Sequence, residues 1–189
     1  MTRHFAYAAQ VFGAVLMAAQ LAGSPARADY ASDNKMCFTT DSSKAAEKVA
    51  ACTRLISSGR LRGKDLASPY QDRAEGHRVL NKLDAALADF NRAIELDPQS
   101  PVPYVNRSEV HRLKGDYDGV IADTSRAMGI DPMFTAAYAI RGMAYQEKGD
   151  LVRARADYNK ALAIPAKRND GEWAQGIART RLKALDEKQ

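Results

Sequence analysis

The chain has 189 residues, of which 46% are hydrophobic and 27% are charged, and it carries a formal net charge of +5. Positive and negative residues alternate along it, which is typical of a solvated helical surface and argues against a nucleic-acid-binding face. This length suits one domain with an elongated core.

Residues 1–28 are predicted to be an export signal. Arg3 and His4 precede an apolar stretch, and the small-residue site Ala26-Arg27-Ala28 follows it. A retained membrane anchor is the alternative, but two glutamines within the stretch and the cleavage site after it argue against that reading. Cleavage would leave 26 basic and 23 acidic residues, a net charge of +3, and no membrane span.

Residues 29–40 are polar and unpatterned, and we expect them to be flexible apart from Cys37. Residues 41–66 are predicted to form an N-terminal helix and a connector. Asp41 and Ser42 are good N-cap residues for this helix, and Gly59 is expected to end it.

The only two cysteines, Cys37 and Cys52, both lie beyond the predicted cleavage site. In an exported protein an even number of cysteines suggests a disulfide, here closing a loop of about 15 residues and contributing about 3 kcal/mol. Two separate buried thiols are the alternative.

Three segments of the chain overlay with a fixed shift of 34 residues: 67–100, 101–134 and 135–168. A period of this size indicates one supersecondary unit stacked on copies of itself. Each unit is predicted to contain two helices, because its fifteenth residue tolerates a left-handed turn and its second helix meets a proline. The turn residues are Asn81, Gly115 and Gly149.

Residues 169–189 are predicted to form a C-terminal capping helix that runs to about Asp186. One face carries apolar residues for the array and the other carries charges for solvent. The apolar face consists of Trp173, Ile177, Ala178, Leu182 and Leu185. The predicted fold class is therefore all-α: a solenoid of three helix–turn–helix units between an N-terminal helix and this cap.

The unit resembles the tetratricopeptide repeat over residues 67–168, in the aromatic residue at its fourth position, the small residue at its eighth, the Gly/Asn turn, the alanine at its twenty-seventh and the Asp-Pro exit. With its signal and cysteine pair, the chain is also similar to small exported tetratricopeptide proteins of Gram-negative bacteria. That resemblance implies a periplasmic or secreted protein with a concave peptide-binding face.

All three units depart from the common repeat pattern at two positions. Arginine replaces leucine at the seventh position and aspartate replaces an aromatic residue at the twenty-third. A lone buried charge is costly, so we expect the two to form structural ion pairs within or between units. An arginine ladder for anionic ligands is the alternative. The residues concerned are Arg73, Arg107 and Arg141 with Asp89, Asp123 and Asp157.

The concave face that the resemblance implies gives the candidate peptide-binding residues. They come from the first helix of each unit: Gln71, Glu75, Arg78, Val105, Asn106, Glu109, Arg112, Ala139, Met143 and Gln146. We expect an apolar patch around Val105, Ala139 and Met143.

The family also contains a carboxylate clamp that grips C-terminal tails, but only Asn106 matches it here. The other clamp positions are occupied by Gln71, Glu75, Ala136 and Ile140. The side chains of Glu75 and Glu109 would repel a carboxylate. A solvated inner face, with contacts at the edges or caps, remains an alternative to the groove.

No catalytic or cofactor motif occurs in the sequence, and neither an enzyme activity nor a cofactor is predicted. His77 and His111 recur at the eleventh position of their units, too far apart to share a metal ion. The predicted function is an exported adaptor or scaffold that binds an unknown protein or peptide. The alternative is an accessory domain that binds an envelope polymer or anionic ligand through Arg60, Arg62 and Lys64.

Overall fold

The computed structural model describes residues 30–165 and 171–187, so the predicted export signal lies outside the described residues. These residues form α-helices and no strand, which confirms the all-α prediction. The helices are α1 (Tyr30–Cys37), α2 (Ala45–Ser57), α3 (Ala67–Val79), α4 (Leu83–Leu96), α5 (Val102–Leu113), α6 (Tyr117–Ile130), α7 (Thr135–Glu147), α8 (Leu151–Ala163) and α9 (Gly171–Asp186). Short 3₁₀ turns occupy Ser42–Lys44 and Gly63–Leu66.

Each of the three 34-residue segments contains one helix pair: α3 with α4, α5 with α6, and α7 with α8. The turns within the pairs are left-handed, with φ of 56° at Asn81, 74° at Gly115 and 80° at Gly149. Glycine and asparagine tolerate this conformation better than other residues do, so local chemistry fixes where each first helix ends.

The two helices of a pair approach closely where the eighth residue of the unit is small. A Cβ atom added to Gly142 would lie 2.7 Å from the ring of Tyr158. Ala74 and Ser108 at the same position of the other units are fully buried. The small side chain therefore makes room for the large residue opposite it on the second helix.

The N-terminal segment is more ordered than its sequence pattern indicates, because Tyr30–Cys37 form helix α1 within residues 29–40, which we expect to be flexible. The Cys37–Cys52 disulfide, buried at both ends, ties α1 to α2. The guanidinium of Arg54 also donates to both carboxylate oxygens of Asp33 on α1. These two links hold a helix whose own sequence has little amphipathic character.

Helix α2 occupies the place of a second helix in a preceding unit. Nη1 of Arg107 donates to Asn91 on α4, and Nη1 of Arg141 donates to Ser125 on α6. Nη1 of Arg73 donates in the same way to Thr53 on α2, at 3.2 Å. The pair α1 and α2 thus continues the array at its N-terminal end, with a disulfide as its main cross-link.

Helix α9 packs on α8 and α7 and closes the other end of the array. Ala178 and Leu185 are buried, as the predicted apolar face requires, together with Ala174. Trp173 is 53% exposed, so its assignment to the packed face is wrong. The smaller Ala174 faces the neighbouring helices instead. Helix α9 is therefore rotated about its axis relative to the prediction, and the indole of Trp173 lies at the surface.

Candidate functional site: the concave groove

A groove with a volume of about 610 Å³ runs across the first helices of the three units and reaches α9. Helices α3, α5 and α7 supply most of its walls, and Phe134 and Trp173 contribute from outside these helices. The residues lining it are Glu75, Arg78, Val105, Asn106, Glu109, Arg112, Phe134, Ala136, Ile140, Met143 and Trp173.

Seven of the ten predicted peptide-binding residues line this groove, and three do not. Ala139 is fully buried and does not contribute to the expected apolar patch, whose other two members, Val105 and Met143, line the groove. The side-chain amide of Gln146 accepts a hydrogen bond from the hydroxyl of Tyr158 at 2.8 Å and is engaged within its own unit. Gln71 lies outside the lining set.

Val105 and Met143 supply part of the apolar surface of the groove, and the rest comes from residues that the candidate set omits. Ile140 and Phe134 are only 2% and 8% exposed and form the floor of the groove with Ala136. The more exposed side chain of Trp173 lines the groove beside them. Ala136 and Ile140 occupy positions of the family's carboxylate clamp, and this placement is the sequence feature from which their location in the groove could have been predicted. Phe134 precedes the unit boundary and Trp173 follows the last unit, so the repeat pattern could not assign them.

The charged residues of the groove neutralise one another in pairs. Arg78 donates to Glu75 through Nε and Nη2, at 2.8 and 2.5 Å, and one unit further on Nε of Arg112 donates to Glu109 at 2.8 Å. The hydrogen bonds to Glu75 raise the pKa of Arg78. Asn106 lies among these pairs, and its side-chain amide forms no hydrogen bond with a residue that the structure describes. The groove therefore offers an amide and an apolar floor without a net charge.

The structure pairs each arginine at the seventh position with the aspartate at the twenty-third position of its own unit. Each pair is bidentate, with Nε–Oδ2 distances of 2.8 Å in all three units. The aspartate side chains are only 7–9% exposed and the arginine side chains 19–21%. The pairs join first to second helix and do not face the groove.

The two histidines flank these ion pairs. Nε2 of His77 lies 3.8 Å from Asp89, and Nε2 of His111 lies 3.7 Å from Asp123. Nδ1 of His111 contacts Asp116 at 2.7 Å, whereas Nδ1 of His77 is buried without a hydrogen-bond partner. Burial lowers the pKa of His77. Both imidazoles thus pack inside their units.

Two of the three connector cations have partners within the chain. The guanidinium of Arg60 lies 4.9 Å from the ring centre of Tyr30, and Lys64 is 3.1 Å from Asp97. No group of histidine, cysteine and acidic side chains among residues 30–165 and 171–187 could hold a metal ion. In the same two ranges, every helix is too short or too polar to cross a membrane.

Comparison with known proteins identifies the repeat. A tetratricopeptide repeat model matches residues 77–100 and 135–168. Among curated protein sequences, none matches the chain.

Solved structures match the array as a whole. A tetratricopeptide repeat protein from Parabacteroides merdae ATCC 43184 is 16% identical, with a TM-score of 0.65 over 84% of this chain and 62% of that one. YrrB, a TPR protein with an unusual peptide-binding site, is 18% identical, with a TM-score of 0.61 over 75% and 67%. The second TPR of Spaghetti (RPAP3), bound to the HSP90 peptide SRMEEVD, is 25% identical, with a TM-score of 0.52 over 54% and 94%.

Proposed function

This chain belongs to the tetratricopeptide repeat family, and we propose that it is a non-enzymatic adaptor that binds a peptide segment of another protein in the concave groove. The observation that carries the proposal is the apolar floor beneath Asn106 and the paired charges. Family members with known structures bind peptides, among them the Spaghetti repeat with its HSP90 peptide.

The chemistry of the groove favours an internal, apolar peptide segment over a C-terminal tail. Arg78 and Arg112 pair with Glu75 and Glu109, so among the described residues that line the groove no unpaired cation remains for a terminal carboxylate. A bound segment would gain mainly by burying apolar side chains against Ile140 and Met143, with Asn106 available to its main chain.

We propose that the protein acts after export, in the periplasm or outside the cell. The basic, apolar and small-residue order of residues 1–28 supports this, and so does the buried disulfide, which persists in oxidising compartments. An intact mass that begins at Asp29, measured on protein recovered from the envelope fraction, is the expected result. A mass that includes Met1 would contradict cleavage.

The groove is tested with a phage-displayed library of random dodecapeptides, followed by anisotropy measurements with enriched peptides synthesised with blocked ends. Met143→Lys should weaken binding at least tenfold, because it places a charge in the apolar floor. The matched control is Met133→Lys, since Met133 is 48% exposed and does not line the groove.

Asn106→Ala should also weaken binding, and Asn159→Ala, an exposed residue on α8, should not. The proposal fails if no peptide is enriched, or if the control variants weaken binding as much as the groove variants do. Circular dichroism of each variant verifies that the helices are retained.

A further inference from the structure

A second depression, with a volume of about 390 Å³, adjoins the groove on its α9 side. Its walls are Met143, Trp173, Gly176, Ile177, Thr180 and Arg181, of which Met143 and Trp173 also line the groove. The exposed indole therefore separates two parts of one continuous surface. A ligand that fills the groove and continues past Trp173 meets α9.

The depression is open to solvent and has apolar walls. A Cβ atom added to Gly176 would meet no other atom within 4 Å, so the helix surface is open at that point. Ile177 and the half-exposed indole of Trp173 offer apolar walls beside this opening. Tryptophan is one of the residue types that are enriched at the energetic hot spots of protein–protein interfaces.

Arg181 gives the depression a charge that the groove does not have. Both groove arginines contact a glutamate one turn earlier on the same helix. Arg181, in contrast, has no ion pair with any residue in the described parts of the chain. A half-buried cation that pairs with no acidic residue of the described ranges, at the rim of an apolar opening, complements a peptide that carries an apolar residue and a carboxylate.

We propose that the depression on α9 binds an apolar side chain of the bound peptide and that Arg181 pairs with an acidic residue of the same peptide. The inference rests on the proposed function, because the segment enters from the groove. Ile177 and Arg181 are one helical turn apart, about 5–6 Å between Cβ atoms. Alternate residues of an extended peptide share a face about 6–7 Å apart. The acidic residue therefore lies two positions from the apolar one.

The test uses the dodecapeptide library on the wild-type chain and on Arg181→Glu. Peptides enriched on the wild type should carry Asp or Glu two positions from a large apolar residue. On Arg181→Glu, Lys or Arg should replace the acid at that position. An unchanged preference on Arg181→Glu, or the absence of any acidic preference on the wild type, overturns the inference.

A second variant tests the opening itself. Gly176→Leu should fill the depression and weaken the binding of peptides with the apolar and acidic residues at least tenfold. The substitution should not disturb α9, because glycine is a poor helix residue and leucine a good one. Gly129→Leu is the matched control, since Gly129 is exposed on α6 and also has open space around it. Equal binding to Gly176→Leu and Gly129→Leu overturns the inference.

The two proposals fail in different ways. Peptides that bind wild type and lose affinity on Met143→Lys, but show no acidic preference and no effect of Gly176→Leu, leave the groove as the only site. A library from which nothing is enriched overturns both.

Discussion

Residue 16 of the unit distinguishes the first repeat from the other two. Asp116 and Asp150 cap the second helices of their units, each accepting a hydrogen bond from the main-chain N–H three residues later. These bonds lower the pKa of both carboxyl groups. The first unit has Lys82 in this place, with similar backbone angles but no cap.

Lys82→Asp should supply the missing cap. The backbone already has the conformation that the other two caps use, φ −91° and ψ 66°, and an N-cap aspartate contributes about 1 kcal/mol. We expect the free energy of unfolding in urea to rise by that amount. Lys82→Ala is the control, and equal stability of the two variants would contradict the cap.

His77 should make stability depend on pH. Burial holds its pKa in the folded chain below the ordinary value of 6.5, so the folded state resists protonation more than the unfolded chain does. This contribution to stability is complete above pH 6.5 and is lost as the pH falls through the folded pKa.

Replacing His77 by tyrosine, which the third unit has at this position as Tyr145, should remove that dependence. We expect the free energy of unfolding of His77→Tyr, relative to wild type, to increase as the pH is lowered from 7 to 5. If the free energy of unfolding of the two proteins changes with pH in parallel across this range, His77 does not titrate differently in the folded and unfolded states.

At the level of the helix pair, the Arg–Asp bridge is the recurring cross-link. It joins first to second helix, and the third guanidinium nitrogen reaches the preceding unit. The hydrogen bonds to Asp123 raise the pKa of Arg107. The charges satisfy one another, and the bridge links the two helices of its unit to each other and to the preceding unit.

Arg107→Leu should lower the free energy of unfolding by about 3–5 kcal/mol, because it leaves the buried carboxylate of Asp123 without a partner. The double variant Arg107→Leu with Asp123→Tyr restores the common family pair and should recover most of the loss. Urea unfolding measures both.

An exposed bridge provides the comparison. Lys114→Ala removes the contact with Asp84, whose side chain is 90% exposed, and should cost less than about 1 kcal/mol. A double variant no more stable than Arg107→Leu alone would show that the bridge is not a replaceable structural pair.

Among the residues that the structure describes, buried apolar side chains form three clusters along the array. The largest runs from Tyr104 to Leu185, a second contains Phe90 and Val110, and the smallest surrounds the disulfide. In a linear array each part contacts only its neighbours, so stability is local.

Removing the disulfide should therefore affect one end only. Cys37→Ser with Cys52→Ser, or reduction, should cost about 3 kcal/mol and speed hydrogen exchange in α1 and α2. Amides of α7 and α8 should exchange as in wild type. Equal acceleration along the array would contradict three independent clusters.

The helix pairs could be predicted because each of their determinants is local. A residue that tolerates positive φ ends the first helix, and a proline limits the second. The Arg–Asp bridge recurs sixteen residues apart, so it too could be inferred from the repeat. Helix α1 could not, because its order comes from Cys52 and Arg54 on another helix and not from its own pattern.

Some residues of the groove could be predicted from the sequence, and others are known only from the tertiary structure. The sequence by itself determined the repeat, the turns, the buried charge pairs and most of the polar groove residues, since each depends on spacing within one unit. Only the tertiary structure decided that Ala139 is buried and that Phe134, Ile140 and Trp173 join the apolar surface. Which side chains meet in the groove depends on the rotation between successive helix pairs and on how α9 crosses them. That rotation is set by the summed packing of every interface, and no single stretch of sequence encodes it.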